Sequence, residues 1–160
     1  MLSRKLRSGR LALVYADGFR LPEQIRLLTA AGLRYVTLFG ITYPMAFGSK
    51  PLLGFMSNNI RPVVLLSQGK PTPPGRLIFA GRVQEPFPKP HHPWQQALEP
   101  AVEWISRLVK PGDLVADPFL GSGTTAVAVR QIGGLRFIGT EISKSTHRTA
   151  VCRLAEGGIA

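Results

Sequence analysis

The segment 114–141 constrains the fold of this chain more than any other part of the sequence. It opens with a short apolar run at 114–116, which predicts a buried strand. The nine residues 117–125, Asp-Pro-Phe-Leu-Gly-Ser-Gly-Thr-Thr, follow as a glycine-rich turn, and a helix is expected over about 124–132. A second strand is predicted over 136–140, directly before an acidic residue. The segment therefore predicts a strand, a turn, a helix and a strand, with an acid at the carboxyl end of each strand.

The acids and glycines of this segment predict a nucleoside ligand. Gly121 and Gly123 permit a tight turn and a close approach of a ligand to the backbone. Glu141, at the end of the second strand, can accept hydrogen bonds from both hydroxyls of a ribose. Asp117, at the end of the first strand, would repel a pyrophosphate but attract a cationic amino group, and Phe119 adds an apolar wall. This chemistry favours S-adenosylmethionine over NAD, although the glycine spacing by itself fits both.

The rest of the chain alternates between strand and helix patterns, which predicts an α/β fold. The predicted strands lie at 10–16, 33–42 and 62–67, and the predicted helices lie at 21–31, 94–109 and 144–155. A stretch rich in proline and glycine at 69–90 separates residues 1–68 from residues 91–160. We therefore expect one domain, in which a basic strand and helix half and a loop precede the half with the glycine-rich turn.

The charge of the chain predicts a nucleic-acid partner. Its 160 residues include 20 Lys and Arg against 9 Asp and Glu, a formal net charge of +11 at pH 7. No acidic residue occurs between Glu23 and Glu85, so this stretch nowhere repels phosphate. The residues predicted to bind DNA are Lys50, Arg61, Lys70, Arg76 and Arg82. A basic soluble protein or a mobile basic loop would show the same pattern, and the charge alone does not separate these interpretations.

Cysteine and histidine usage predicts no metal site. Cys152 is the only cysteine, and His91, His92 and His147 have no metal-ligand spacing. No apolar run approaches the length of a membrane span, and Asp17 ends the apolar run near the start too early for a signal peptide. We therefore expect a cytoplasmic protein that uses neither a metal nor a membrane.

Two motifs resemble those of DNA amino-methyltransferases, which act on adenine N6 or cytosine N4. The glycine-rich turn at 117–125 is similar to that family's cofactor motif. Upstream, His-Pro-Trp-Gln-Gln-Ala at 92–97 matches the first, second and fourth positions of the family's His-Pro-x-Gln-Lys-Pro signature and departs from its last two. Lys-Pro-Gly-Asp at 110–113 and Phe-Ile-Gly-Thr-Glu-Ile at 137–142 follow in the family's order. The resemblance covers about residues 90–154.

The resemblance implies a Rossmann-like methyltransferase sheet with S-adenosylmethionine as the cofactor. The acid and the glycines of the turn would line the methionine end, Glu141 would hold the ribose, and the residues at 92–95 would close over the cofactor. The full cofactor-binding set implied in this way is Asp117, Pro118, Phe119, Gly121, Ser122, Gly123, Thr124, Glu141, His92, Pro93 and Gln95.

The family's catalytic motif, an Asp, Asn or Ser followed by Pro-Pro and an aromatic residue, does not occur in this sequence. Such a motif would bind the exocyclic amino group of a flipped base and stack on its ring. Thr-Pro-Pro-Gly at 72–75 contains only the two prolines. We therefore predict no catalytic residue. We expect either a truncated chain that lacks the catalytic strand and the last strand, or a chain whose partner supplies the motif.

By this resemblance the expected function is methylation of double-stranded DNA, with adenine N6 favoured over cytosine N4. Two other functions remain open on the sequence alone. One is a non-catalytic DNA-binding remnant, which would bind duplex DNA in a salt-sensitive way without methyl transfer. The other is an NAD-dependent oxidoreductase, which the glycine spacing permits and which NADH binding would reveal.

Overall fold

The chain divides into two units, Met1–Pro86 and Phe87–Ala160. The computed structural model describes residues 5–43, 60–73, 89, 91 and 95–156. In chain order, the main strands and helices there are β1 (Leu11–Tyr15), α1 (Leu21–Ala30), β2 (Arg34–Thr42), β3 (Ile60–Ser67), α2 (Leu98–Leu108), β4 (Leu114–Asp117), α3 (Thr124–Ile132), β5 (Arg136–Gly139) and α4 (Lys144–Ala155). Most of their ends lie within two residues of the predicted ones.

Helix α2 differs most from its prediction, because it begins at Leu98 and not at residue 94. The residue before it, Ala97, has an extended backbone with φ −64° and ψ 140°. Pro100 is the third helical residue, where a missing amide hydrogen costs no intrahelical bond. A helix that started a turn earlier would bring the proline ring against the carbonyl of Gln96. The proline therefore sets the start of α2.

The first unit contains an antiparallel sheet with β3 at its centre, in the order β1-β3-β2. Residues 63–67 of β3 are all buried, as their continuous apolar pattern favours for a central strand. Val64 and Leu66 pack with Leu33 in the core, and Ile25 and Leu28 of α1 lie against them. The amphipathic face of α1 therefore covers one face of this sheet.

The second unit contains the parallel pair β4 and β5, joined by α3. Val115 and Phe137, one from each strand, pack against the core formed by α2 and α3. On the opposite face, Leu114 is 54% exposed and Ile138 is 56% exposed. Within the described residues, β4 and β5 form a two-stranded sheet with no further strand. The carboxyl ends of both strands therefore meet at one edge, and one face of the pair is open.

A single substitution at the start of α4 can test whether the helix is capped as the structure shows. Ser143 caps the helix, since its hydroxyl accepts a hydrogen bond from the Thr146 amide at 3.3 Å. Replacing Ser143 with Ala should lower the free energy of unfolding by about 1 kcal/mol, because that amide loses its partner. The measurement is urea unfolding followed by tryptophan fluorescence. As a control, Ser106→Ala at an exposed position in α2 should be neutral or slightly stabilising, because alanine is the better helix former. Equal losses in the two variants would contradict the cap.

Within the described residues, no helix is long and apolar enough to cross a bilayer.

Candidate functional site

The loops that follow β4 and β5 are tied together by hydrogen bonds. Asp117 lies opposite Gly139 in the strand register, and its carbonyl accepts from the Thr140 amide at 3.0 Å. The Leu120 amide donates to the Thr140 carbonyl at 2.9 Å, and the Thr140 hydroxyl donates to the Pro118 carbonyl at 2.9 Å. These bonds pair the loops beyond the last strand residues, so the carboxyl edge of the pair is a fixed surface.

The Glu141 carboxylate joins the glycine-rich turn to the start of α4. Its Oε2 accepts from the Gly121 amide at 2.9 Å, and its Oε1 accepts from the Ser143 amide at 2.9 Å. The structure therefore brings Glu141 and the end of β4 to the same edge. A carboxylate has about four acceptor positions, and these two backbone bonds occupy two of them. Glu141 is half-buried, as a residue that faces a ligand would be.

Asp117 is the last residue of β4, and its side chain is held in one orientation. Its Oδ1 accepts from the Phe119 amide at 3.0 Å, a bond that closes a turn over Pro118. Asp117 is half-buried, while Pro118 is exposed. The Phe119 side chain is 86% exposed, so it packs against little of the protein and presents a free aromatic surface beside the turn.

The two glycines of the turn differ in the space that surrounds them. Both have a positive φ, +54° at Gly121 and +86° at Gly123, which disfavours any residue with a side chain. A Cβ at Gly121 would meet only the Phe119 carbonyl oxygen, at 3.9 Å, among the described residues. A Cβ at Gly123 would lie 3.0 Å from the Cβ of Ala150 in α4. Gly121 therefore leaves room on the outside of the turn, and Gly123 lets α4 approach from behind.

Ser122 and Thr124 face the protein interior and not the outside of the turn. Both are buried, and the Ser122 carbonyl and the Thr124 hydroxyl accept from Nη1 of Arg153, at 3.3 Å and 3.2 Å. The Thr124 hydroxyl also donates to the Gln96 carbonyl at 3.4 Å. Burial lowers the pKa of the Arg153 guanidinium, which nevertheless stays charged at neutral pH.

The upstream motif is described only in part. His92 and Pro93 lie outside the described residues. Gln95 is 7% exposed, and its Oε1 accepts from the His91 amide at 3.3 Å. The bond between the Thr124 hydroxyl and the Gln96 carbonyl connects this motif to the first residue of α3. The end of the upstream motif therefore lies beside the glycine-rich turn.

The predicted DNA-binding residues do not form one cluster in the part that is described. Lys50, Arg76 and Arg82 lie outside it. Arg61 is half-buried near the start of β3, where its charge opposes the burial that raises the pKa of Tyr43. Lys70 is exposed beyond the other end of that strand, so roughly 20 Å of strand separates the two residues.

Two residues near the turn, Ile142 and Arg153, are not among the predicted site residues. Ile142 follows Glu141 directly and its side chain is fully exposed. Its position directly after the strand-end acid Glu141 was the sequence feature that could have predicted an apolar contact with the ligand. Arg153 carried no such signal, because a basic residue in an amphipathic helix usually faces solvent. Among the described residues, no group of three or more His, Cys, Asp or Glu could hold a metal ion.

Comparison with known proteins identifies the family. The family model for DNA methylases matches residues 59–151, more than half of the chain. The chain is 40% identical over 65 residues to the methylase YubD of Escherichia coli strain K12 and 40% identical over 63 residues to the type II methyltransferase M2.DpnII of Streptococcus pneumoniae. These matches cover 41% and 39% of this chain but 28% and 23% of the relatives. The chain thus spans about a quarter of the length of these curated relatives.

A solved structure has the same fold. The M1.HpyAVI–SAM complex matches with a TM-score of 0.77 and 21% identity, over 92% of this chain and 76% of that chain. The predicted fold class, a Rossmann-like methyltransferase sheet of α/β type that is incomplete, is thereby confirmed. Because the family model matches more than half of this chain, the chain belongs to the DNA methylases, which are S-adenosylmethionine-dependent N6 and N4 amino-methyltransferases.

Proposed function

We propose that this chain binds S-adenosylmethionine at the edge where β4 and β5 end, as the cofactor-binding part of a DNA amino-methyltransferase. The proposed reaction is transfer of a methyl group to an exocyclic amino group of double-stranded DNA, with adenine N6 favoured over cytosine N4. The single observation that carries the proposal is the Glu141 carboxylate, which contacts the Gly121 amide from the adjacent strand end. This contact supports a common site for Glu141 and the glycine-rich turn that follows Asp117.

The donor and acceptor groups at this edge fit the cofactor. Asp117 offers a carboxylate to the cationic amino group of the methionine moiety, and opposite charges within a few ångströms attract strongly when partly shielded from water. Glu141 offers acceptors to the ribose hydroxyls. The exposed side chains of Phe119 and Ile142 offer apolar surface to the adenine ring. The open space outside Gly121 allows the cofactor to approach the backbone.

The described residues of this site bind and orient, and none of them is assigned a catalytic role. When bound, S-adenosylmethionine supplies a methyl group that its sulfonium sulfur makes electrophilic. The acceptor base needs a group that takes hydrogen bonds from its amino group and an aromatic ring to stack on. The Asp/Asn/Ser-Pro-Pro-aromatic motif that would provide both is not in this sequence. A second chain or a further segment of the polypeptide would therefore supply these groups.

The open side of the parallel pair supports the involvement of further polypeptide. Parallel sheets are normally covered on both faces, and two strands rarely suffice for a stable sheet. In the described part of the chain β4 has one hydrogen-bonded neighbour, and Leu114 and Ile138 leave apolar surface exposed on one face. A strand beside β4 and a helix over that face would complete the layer structure.

The net charge of +11 supports DNA as the substrate. Association with phosphate releases counterions, so binding would weaken steeply as salt is added. The basic stretch between Glu23 and Glu85 remains the proposed contact surface, with Lys50, Arg61, Lys70, Arg76 and Arg82 as its contributors.

The test of this proposal is cofactor binding by the full chain. Isothermal titration should give a dissociation constant on the order of micromolar for S-adenosylmethionine, typical of a small-molecule site with a few strong polar contacts. NADH fluorescence should not respond to the protein. With labelled cofactor and duplex DNA, the chain alone should transfer no methyl group.

Each of the alternatives has its own outcome in this test. No measurable binding of S-adenosylmethionine, together with salt-sensitive binding of duplex DNA, would favour a non-catalytic DNA-binding remnant. A clear NADH response would favour an oxidoreductase. Methyl transfer by the chain alone would contradict the assignment of the catalytic motif to another chain or segment.

A further inference from the structure

Arg153 is a buried cation directly behind the glycine-rich turn. Only 5% of its surface is exposed, although it lies on a helix whose other basic residues, such as Arg148, face solvent. Its contacts within the described part of the chain are with two neutral oxygens, the Ser122 carbonyl and the Thr124 hydroxyl. Burying a charge without a carboxylate partner is costly, and an apolar side chain would fill the same space at less cost. The cost indicates that these two contacts have a function.

The glycine-rich turn needs a support of this kind, because its backbone is unusually free. Ser122 stands between two glycines with positive φ, and glycine permits many backbone conformations. Rotation of the peptide between Ser122 and Gly123 would turn the Gly123 amide away from the Leu120 carbonyl, to which it donates at 2.9 Å. The hydrogen bond from Arg153 holds the carbonyl of that same peptide.

Helix α4 supports the turn at two neighbouring points. Ala150 is fully buried and lies against Gly123, where an added Cβ would be 3.0 Å from its own Cβ. Arg153 lies three residues further along α4 and therefore on the same face. Its second contact, the Thr124 hydroxyl, belongs to the first residue of α3. Arg153 thus connects the turn, the start of α3 and α4.

We propose that Arg153 is a positioning residue of the cofactor site, which holds the turn at 121–124 in the conformation that presents the Gly121 amide to Glu141 and the open side of Gly121 to the cofactor. Arg153 itself lies behind the turn and touches no substrate. This inference rests on the proposed function, since the turn is assumed to bind S-adenosylmethionine.

The test compares Arg153→Met, Arg153→Lys and the exposed control Arg148→Met, all in the full chain. S-adenosylhomocysteine is titrated at a temperature at which circular dichroism shows every variant folded. Arg153→Met should weaken binding by about tenfold to a hundredfold, since it removes hydrogen bonds from a charged donor. Arg153→Lys keeps the charge and should recover part of the loss. Arg148→Met should bind within about twofold of the unchanged chain.

Hydrogen exchange in the protein without cofactor gives an independent readout. Peptides that cover 119–125 should exchange faster in Arg153→Met, whereas peptides from α2 should not change. A purely structural role would lower the unfolding temperature but leave both binding and local exchange unchanged in the folded variant, and that result would overturn the proposal.

The design separates this proposal from the proposed function. If the unchanged chain fails to bind S-adenosylhomocysteine and S-adenosylmethionine, the proposed function fails, while exchange at 119–125 still shows whether Arg153 holds the turn. If Arg153→Met does not fold, the same binding comparison is made between Arg153→Lys and Arg148→Met. Loss of binding that exceeds the loss in Arg148→Met supports the proposal, and equal binding overturns it.

Discussion

Replacing Gly123 with alanine is expected to lower the free energy of unfolding by about 2–5 kcal/mol. Two costs add at this position. A residue with a side chain resists the left-handed backbone, here φ +86°. The new Cβ would also lie 3.0 Å from the Cβ and 3.3 Å from the Cα of Ala150, so α4 must move or the turn must distort. Urea unfolding followed by tryptophan fluorescence measures the loss, because Trp104 is buried in the second unit.

Gly133→Ala is the control for this prediction. Gly133 ends α3 with φ +73° and ψ 166°, a region that essentially only glycine adopts, and an added Cβ would meet nothing within 4 Å among the described residues. It should therefore show a backbone cost without a packing cost, about 1–3 kcal/mol. Because its backbone is at least as unfavourable for alanine as that of Gly123, any larger loss in Gly123→Ala reports how tightly α4 packs on the turn. A loss in Gly123→Ala of no more than about 2 kcal/mol, the cost of the left-handed backbone alone, would contradict the close contact between Gly123 and Ala150, and with it one of the two supports assigned to α4.

The strand-end acids could be predicted from sequence because the rule behind them is local. Carboxyl ends of parallel strands joined by a helix meet at one edge, so a pattern of strand, turn, helix and strand places Asp117 near Glu141. The structure shows the Gly121 amide bonded to Glu141, which agrees with that placement. The fold class could be predicted for the same reason, since the alternation of elements is visible in the hydrophobic pattern.

The support behind the turn could not be predicted, because it depends on contacts between residues far apart in the chain. Arg153 bonds to Ser122 and Thr124 across about thirty positions, and nothing in the sequence of α4 distinguishes it from the exposed Arg148. The contacts of the Ser122 carbonyl and the Thr124 hydroxyl with Arg153 could not be predicted for the same reason. The family motif implies that Ser122 and Thr124 bind the cofactor, and that role stays a prediction.

Charge was the least informative signal about position. The absence of acids between Glu23 and Glu85 predicts a surface, but a count of charges does not say where each side chain lies. Arg61 is half-buried near Tyr43, and Lys70 lies beyond the other end of β3. The five predicted DNA-binding residues therefore stay a prediction.

Glu141→Ala is expected to weaken S-adenosylmethionine binding by at least about a hundredfold. Hydrogen bonds to a charged group contribute about 1.5–3 kcal/mol each, and the proposed site uses two of them for the ribose hydroxyls. The substitution also removes the acceptors of the Gly121 and Ser143 amides, so the turn loses its tie to the start of α4. Titration calorimetry of the folded variant measures the change. Glu99→Ala, which removes an exposed carboxylate at the start of α2 and changes the net charge equally, should leave binding unaffected.

The two functions of Glu141 can be separated with a ligand that lacks one hydroxyl. If the carboxylate binds the ribose directly, the unchanged chain should prefer S-adenosylhomocysteine over its 2′-deoxyribose analogue, and Glu141→Ala should lose that preference. If Glu141 only holds the Gly121 and Ser143 amides, the substitution should weaken both ligands by the same factor. That second result would rule out a direct contact between Glu141 and the ribose, while the glycine-rich turn would remain part of the proposed site. A variant that binds S-adenosylmethionine as well as the unchanged chain does would contradict the whole assignment, because the strand-end acid would then have no part in holding the cofactor.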